Sequence, residues 1–167
     1  MKLPETDRLV LNNLHITDAP FILELVNTPG WLKYIGDRRI KNIRDAENYI
    51  TNGPMASYAK NGFGLYLITL KETIASIGIC GIIKRDTLEH EDIGFALLPQ
   101  YAGKGYAFEA ASAVLEYARS ALGLKKIVAI TLEANYKSVN LLTKLGLVFQ
   151  KMIVSPDKEE LMLFETL

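Results

Sequence analysis

The chain has one cysteine, Cys80, among 167 residues. That excludes an internal disulfide framework and any Cys-rich zinc site. Histidine is nearly as scarce: His15 and His90 stand in unrelated segments, so neither gives Cys80 a base for nucleophilic chemistry. Charge of one sign is missing too. The 19 Lys and Arg balance 19 Asp and Glu, whereas proteins that grip nucleic acid usually carry a basic excess to neutralise phosphates. No apolar run reaches membrane-span length, and Met1-Lys2-Leu3-Pro4-Glu5 has no apolar signal core. These absences make a reducing cytoplasm the expected location, with neither nucleic acid nor membrane as partner. No repeat, low-complexity stretch or Pro/Gly/Ser-rich linker divides the sequence, so residues 1–167 are expected to form a single domain. With 49% hydrophobic residues, the chain has enough apolar material to exclude disorder.

Strand and helix signals alternate along the chain. Leu9 to Leu14 reads as a strand, and Thr17-Asp18-Ala19-Pro20 as a helix start with a capping hydroxyl. That helix is expected to end at Pro29-Gly30, and a second, from Arg44-Asp45 through Tyr49 and Ile50, to be interrupted at Gly53-Pro54. Phe63 to Leu70, Ile74 to Lys84 and Asp92 to Leu98 read as strands joined by short loops. After Gly105, Ala107, Ala110, Ala111, Val114, Leu115 and Ala118 recur at helical spacing, and Gly123 lies where a helix should stop. Ile127 to Leu132 is a further strand. Asn135 can cap a helix through Val139, Leu142 and Leu145 that Gly146 closes, and two strands follow, Leu147 to Val154 and Leu161 to Phe164. This order is α+β, with a strand–helix–strand crossover from Asp92 to Leu132 that makes its two strands roughly parallel.

The segment between that strand and helix, Leu97-Leu98-Pro99-Gln100-Tyr101-Ala102-Gly103-Lys104-Gly105-Tyr106-Ala107, carries the main chemical signal. Gly103 and Gly105 lack Cβ atoms, so the backbone can turn tightly and approach a ligand. The first N–H groups of the following helix point into the turn with the positive end of the helix dipole. Together they form a candidate pyrophosphate site, with Lys104 at its rim. It is no dinucleotide fingerprint, since Phe108 stands where a third Gly or Ala is needed, and no P-loop run exists. A plain strand-to-helix turn is the alternative.

Gln100-x-x-Gly103-x-Gly105 resembles the acetyl-CoA signature of the GNAT N-acetyltransferases. Thr6-Asp7-Arg8-Leu9-Val10-Leu11 resembles the N-terminal opening of the RimJ/RimL-like branch, and Asn135-x-x-Ser138 followed by Lys144-Leu145-Gly146-Leu147 its late helix. Asp92-Ile93-Gly94-Phe95 and Gly105-Tyr106-Ala107-Phe108-Glu109-Ala110 also fit, so the resemblance runs from about Leu3 to Phe164. It implies a mixed, mostly antiparallel twisted sheet of about seven strands flanked by about four helices, with a splayed central parallel pair. It implies acetyl-CoA as cosubstrate, no metal, and a small-molecule or peptide amine as acceptor. A protein N-terminal amine, a polyamine and other small amines are the candidates. Relatives often dimerise, which makes a homodimer the candidate assembly.

Residue by residue, the resemblance implies that backbone groups of Phe95, Ala96, Leu97 and Leu98 line the acetyl and pantetheine arm, with the N–H of Leu97 or Leu98 polarising the thioester carbonyl. Gln100, Tyr101, Ala102, Gly103, Lys104, Gly105, Tyr106 and Ala107 would hold the pyrophosphate. Asn135 would bond the pantetheine arm and Ser138 would sit near the sulfur. The family's usual Tyr acid is replaced by Leu142, so Ser138 stands in by hydrogen-bonding the thiolate; Tyr136 is a second candidate. Asp92 or Glu91 would act as base for the amine, and strand alternation lets only one of the two face the cleft. Trp31 and Tyr34 would wall the acceptor pocket, or simply pack on the core. Glu109 reads as an ordinary acid in a first helical turn. Two other readings compete: a catalytically degenerate acyl-CoA sensor and a nucleotide-binding protein.

Overall fold

Apolar residues at alternate positions of 9–13 and 65–70 bring the first two strands side by side. The computed structural model describes residues 1–167 throughout. Its strands are β1 (Leu9–Asn13), β2 (Leu65–Leu70), β3 (Ser76–Ile83), β4 (Asp92–Leu97), β5 (Val128–Thr131), β6 (Val148–Val154) and β7 (Glu160–Glu165). All seven join one sheet in the order β1-β2-β3-β4-β5-β7-β6. Neighbours are antiparallel except β4 and β5, which run parallel and register at a single pair, Asp92 opposite Val128. The expected mixed sheet and central parallel pair are both present.

The helices are α1 (Ala19–Leu25), α2 (Pro29–Tyr34), α3 (Ile43–Ile50), α4 (Ala56–Asn61), α5 (Tyr106–Ser120) and α6 (Tyr136–Lys144). Three local expectations are corrected. A short 3₁₀ turn, Ile16–Asp18, precedes α1, and the carboxylate of Asp18 accepts the N–H of His15 at 2.8 Å, so Asp18 rather than Thr17 organises this start. Pro29 begins α2 instead of ending a helix, because its fixed φ and missing N–H suit a first helical position. Gly53-Pro54 does not interrupt the second helix. The wide π turn Thr51–Met55 absorbs the donor that Pro54 lacks, and α3 runs on into α4.

Apolar side chains cover both faces of the sheet. On one side α5 buries Ala110, Ala111, Val114, Leu115 and Ala118 against strand residues such as Cys80, Ile82 and Ile93. The alanines let this helix lie close to β3 and β4, while each fully buried Val or Leu contributes about 1.5–3 kcal/mol. On the other side α1, α2 and α3 bury Ile22, Leu25, Trp31 and Ile50 over Leu67, Ile79 and Leu98. β3 is glycine-containing because β2 approaches it closely. A Cβ at Gly81 would come within 2.0 Å of the Gly64 carbonyl oxygen and 2.7 Å of the Leu65 Cα, both main-chain atoms that cannot swing away. Gly81→Ala should therefore destabilise the fold by about 1–3 kcal/mol or more. Urea unfolding followed by circular dichroism checks this; an unchanged midpoint would contradict the close packing.

Candidate active site at the parting of two parallel strands

β4 and β5 share one registered pair and then diverge, so β4 has an edge without a strand partner. In an antiparallel ladder, the main-chain polar groups of successive residues face alternate edges. The N–H of Leu98 donates to the Ile77 carbonyl at 2.8 Å, toward β3, and the Glu91 carbonyl accepts from Val128 at 2.9 Å, toward β5. Odd-numbered positions of β4 therefore turn their polar groups to the β5 side. The main-chain groups of Phe95 and Leu97 face the opening; those of Ala96 and Leu98 do not. This corrects the expectation for Leu98, whose N–H is already bonded within the sheet.

The turn after β4 lies at the same end of the sheet as the turn after β5, since the two strands are parallel. Pro99–Tyr101 form a 3₁₀ turn, and Gly103 and Gly105 take left-handed φ values of 75° and 82°. This conformation is open to glycine without strain. From Gly103 to Phe108 no main-chain N–H has a hydrogen-bond partner within the chain; the next, at Glu109, donates to the Gly105 carbonyl at 3.0 Å. A run of free donors at the head of a 15-residue helix presents the hydrogen-bond pattern that anions favour. A Cβ at Gly103 would meet nothing within 4 Å, so the space over this turn is open.

The turn is clamped from β1. Arg8 donates through Nε to Glu109 Oε2 at 2.6 Å and through Nη1 to the Lys104 carbonyl at 3.0 Å, and its Nη2 lies 2.6 Å from the same carboxylate oxygen in an ion pair. Glu109 Oε1 accepts the Arg8 main-chain N–H at 3.0 Å and the Thr6 hydroxyl at 2.5 Å. The Arg8 guanidinium also lies 4.4 Å from the centre of the Tyr106 ring. Partial burial pushes the Glu109 carboxyl up, but the bonds from Thr6 and Arg8 outweigh it and hold its pKa below the usual range. Glu109 is thus far more than a helix-start acid, a role its local sequence did not reveal. The only hint was its opposite charge to Arg8, another motif residue.

At the neighbouring helix head, Asn135 caps α6 as expected, its Oδ1 accepting the Ser138 N–H at 3.4 Å. The Ser138 hydroxyl makes no hydrogen bond within the chain, so it is not part of the cap. Tyr136 is 73% exposed and packs on nothing substantial. Leu142, at the position of the absent Tyr, is buried in the core.

The two acids at the start of β4 have separate fates. Ile93 packs on the α5 side, so Asp92 faces the α1–α4 side, where Ala96 also packs. Asp92 is 1% exposed and accepts from Arg85 Nε at 3.0 Å. Burial pushes its carboxyl above the usual range, and the Arg85 guanidinium opposes that rise. Glu91 turns to the other face and pairs with Lys84 at 3.3 Å. Asp92 lies at the closed end of the opening, where β4 and β5 still pair. Trp31 is buried in the second core, yet its indole Nε1–H lacks a hydrogen-bond partner. Tyr34 is half-buried, with the Lys33 ammonium 5.0 Å from its ring centre. Burial pushes the Cys80 thiol far up, which keeps it protonated and inert.

Comparison with known proteins agrees with this geometry. The family model described as the acetyltransferase (GNAT) domain matches residues 8–148. The uncharacterized N-acetyltransferase YoaA of Bacillus subtilis is 32% identical over 88% of this chain and 82% of its own length. A crystal structure of an acetyltransferase from Agrobacterium tumefaciens has the same fold, with a TM-score of 0.85 at 24% identity, covering 100% of this chain and 95% of that one. A ribosomal-protein-S5-alanine acetyltransferase from Vibrio fischeri also shares the fold, with a TM-score of 0.79 at 18% identity, covering 98% and 94%.

Because the Glu109 pKa is lowered on folding, its contribution is present above the unfolded carboxylate pKa and fades as pH falls through the folded value. Glu109→Gln should cost about 1–3 kcal/mol at pH 7 by leaving Arg8 and Thr6 without their acceptor. The gap from wild type should shrink toward pH 3. Urea unfolding at both pH values measures it; a gap independent of pH would contradict the clamp.

Proposed function

This chain belongs to the GNAT acetyltransferase family, and we propose that it transfers the acetyl group of acetyl-CoA to a primary amine by direct attack of the amine on the thioester. The observation that carries this reading is the run of partnerless N–H groups from Gly103 to Phe108 beside an unpaired strand edge. Diphosphate suits that turn: it is anionic, rich in acceptors, and favoured at a helix N-terminus. Gln100 to Ala107 would hold it through main-chain donors, and Lys104 would add charge at the rim. The Leu97 N–H, on the open edge of β4, is the donor that would polarise the thioester carbonyl. Asn135 would keep its Oδ1 on the helix cap and offer its amide NH₂ to the pantetheine arm. The Ser138 hydroxyl would steady the departing thiolate.

Asp92 is the better candidate for the base. A carboxylate raised by burial is a stronger proton acceptor near neutral pH than a solvated one. From the closed end of the opening it would act through water. Glu91, held by Lys84 on the other face, is the weaker candidate. Trp31 would offer its free indole N–H to the acceptor side, with Tyr34 beside it. We take residues 1–167 as one catalytic domain of the RimJ/RimL-like branch, acting in the cytoplasm. The Thr6–Leu11 opening and the fold shared with the S5-alanine enzyme support the branch.

Free thiol released from acetyl-CoA in the presence of peptide, polyamine and small-amine acceptors tests the activity; no release above background with any of them would overturn it. Gly103→Val should weaken CoA binding by about tenfold or more, since valine resists positive φ and would crowd the donors. Unchanged affinity in a folded variant, read by calorimetry, would exclude this turn as the diphosphate site. If Asp92 is the base, the acidic limb of kcat/KM lies above the usual carboxylate range. Asp92→Asn should remove that limb and lower kcat/KM by about 10²–10⁴. Arg85→Gln should move the limb to higher pH, because the lost cation was holding the Asp92 pKa down. A pH–rate profile unaltered by either substitution would rule Asp92 out.

A further inference from the structure

On the same face of the sheet as Asp92, the loop between α2 and α3 and the π turn after α3 border a shallow, open pocket of about 440 Å³. Arg38, Arg39, Asn48, Tyr49, Asn52 and Gly53 line it. Its one acidic lining residue, Asp45, accepts the Lys41 main-chain N–H at 2.9 Å and serves the start of α3. Neither Arg38 nor Arg39 forms an ion pair with any carboxylate of the chain. The Tyr49 hydroxyl likewise has no hydrogen-bond partner in the chain. Burial pushes its phenol up, while the Arg38 and Arg85 guanidinium charges pull the other way, and the hydroxyl stays a neutral donor.

Both arginine side chains are exposed, but the backbone that carries them is fixed at Arg39. Arg39 has a left-handed φ of 57°, fixed by the Asp37 carboxylate accepting its N–H at 2.8 Å. The next residue, Ile40, is buried, and its carbonyl accepts from Asn27 Nδ2 at 2.8 Å. Two guanidinium groups without a direct carboxylate partner, beside three neutral donors, fit an oxyanion.

Resting on the transferase reading above, we propose that the acceptor amine carries an anionic carboxylate or phosphate group, which this pocket binds through Arg38 and Arg39 while the amine faces the cleft. Arg85 is bonded to Asp92 at 3.0 Å, and its charge acts on Tyr49, which lines the pocket. An adjacent pocket of about 250 Å³ contains Asp37, Asp157 and Glu159 and would favour a cation instead. However, Asp37 is already engaged by Arg39 and by Lys41 Nζ at 3.4 Å, and Arg38 lines that pocket too.

The test compares four amines at equal concentration: O-phosphoethanolamine, β-alanine, ethanolamine and spermidine. The wild type should turn over at least one of the two anionic amines with kcat/KM about tenfold or more above ethanolamine. Which of the two is faster distinguishes phosphate from carboxylate. Arg38→Gln alone, and Arg38→Gln with Arg39→Gln, should erase that preference while acetyl-CoA affinity, read by calorimetry, stays the same. Preference for spermidine, equal rates for all four including no turnover, or a preference that survives both variants would overturn the proposal. Loss of acetyl-CoA binding by the wild type would instead overturn the transferase reading itself.

Discussion

Everything at this site follows from one constraint: β4 and β5 pair at Asp92–Val128 and nowhere else. A strand buried in the middle of a sheet normally has both edges satisfied, because each unpaired polar group of the main chain is costly to bury. Here the second edge of β4 is free from Phe95 onward, and the chain then turns through two left-handed glycines into α5, whose first donors are free as well. The result is a continuous line of unpaired main-chain groups, first along a strand and then around a helix head. Such a line suits a long, flexible ligand with amide groups along its length and an anion at one end. Hydrogen bonds to a backbone edge are largely independent of side-chain identity, which is why only the glycines of the turn are chemically demanding.

Charge is distributed to protect that line. Arg8 stands next to the turn, and a free guanidinium there would compete for a diphosphate and draw it toward β1. Glu109 neutralises it from below, while the third donor of Arg8 holds the Lys104 carbonyl. The clamp therefore fixes the position of the loop without adding net charge to it, and the positive potential over the turn comes from the helix head. The arginines of the α2–α3 loop are the reverse case: neither is ion-paired with a carboxylate, and both are set apart from the glycine turn.

Much of this could be read from residue order. Seven strands, the crossover through α5, the two glycines and the Asn135 cap all rest on local patterns, and local patterns are what a sequence displays. The misreadings have equally specific causes. Pro29 and Gly53-Pro54 looked like stops because proline breaks helix interiors; the fold uses one as a first residue and lodges the other in a π turn. Period-two alternation established that Asp92 and Glu91 face opposite ways. It left open which faced the α1–α4 side, because apolar layers cover both faces of the sheet. The Leu97–Leu98 ambiguity was of the same kind, since hydrogen-bond direction depends on register with β3. Arg8 and Glu109 meet across 101 positions, and no local pattern encodes that contact.

The environment of Asp92 has a consequence for how an amine could be deprotonated. A solvated aspartate titrates near 4 and is a weak base at neutral pH. A buried aspartate without a partner would stay protonated and could accept nothing. Asp92 lies between these extremes: burial raises its pKa, and the contact with Arg85 Nε together with its own main-chain N–H limits the rise. The ion pair engages one carboxylate oxygen and leaves the other without a charged partner. Arg85 is itself about one-third exposed, so its pull on Asp92 is softened by solvent.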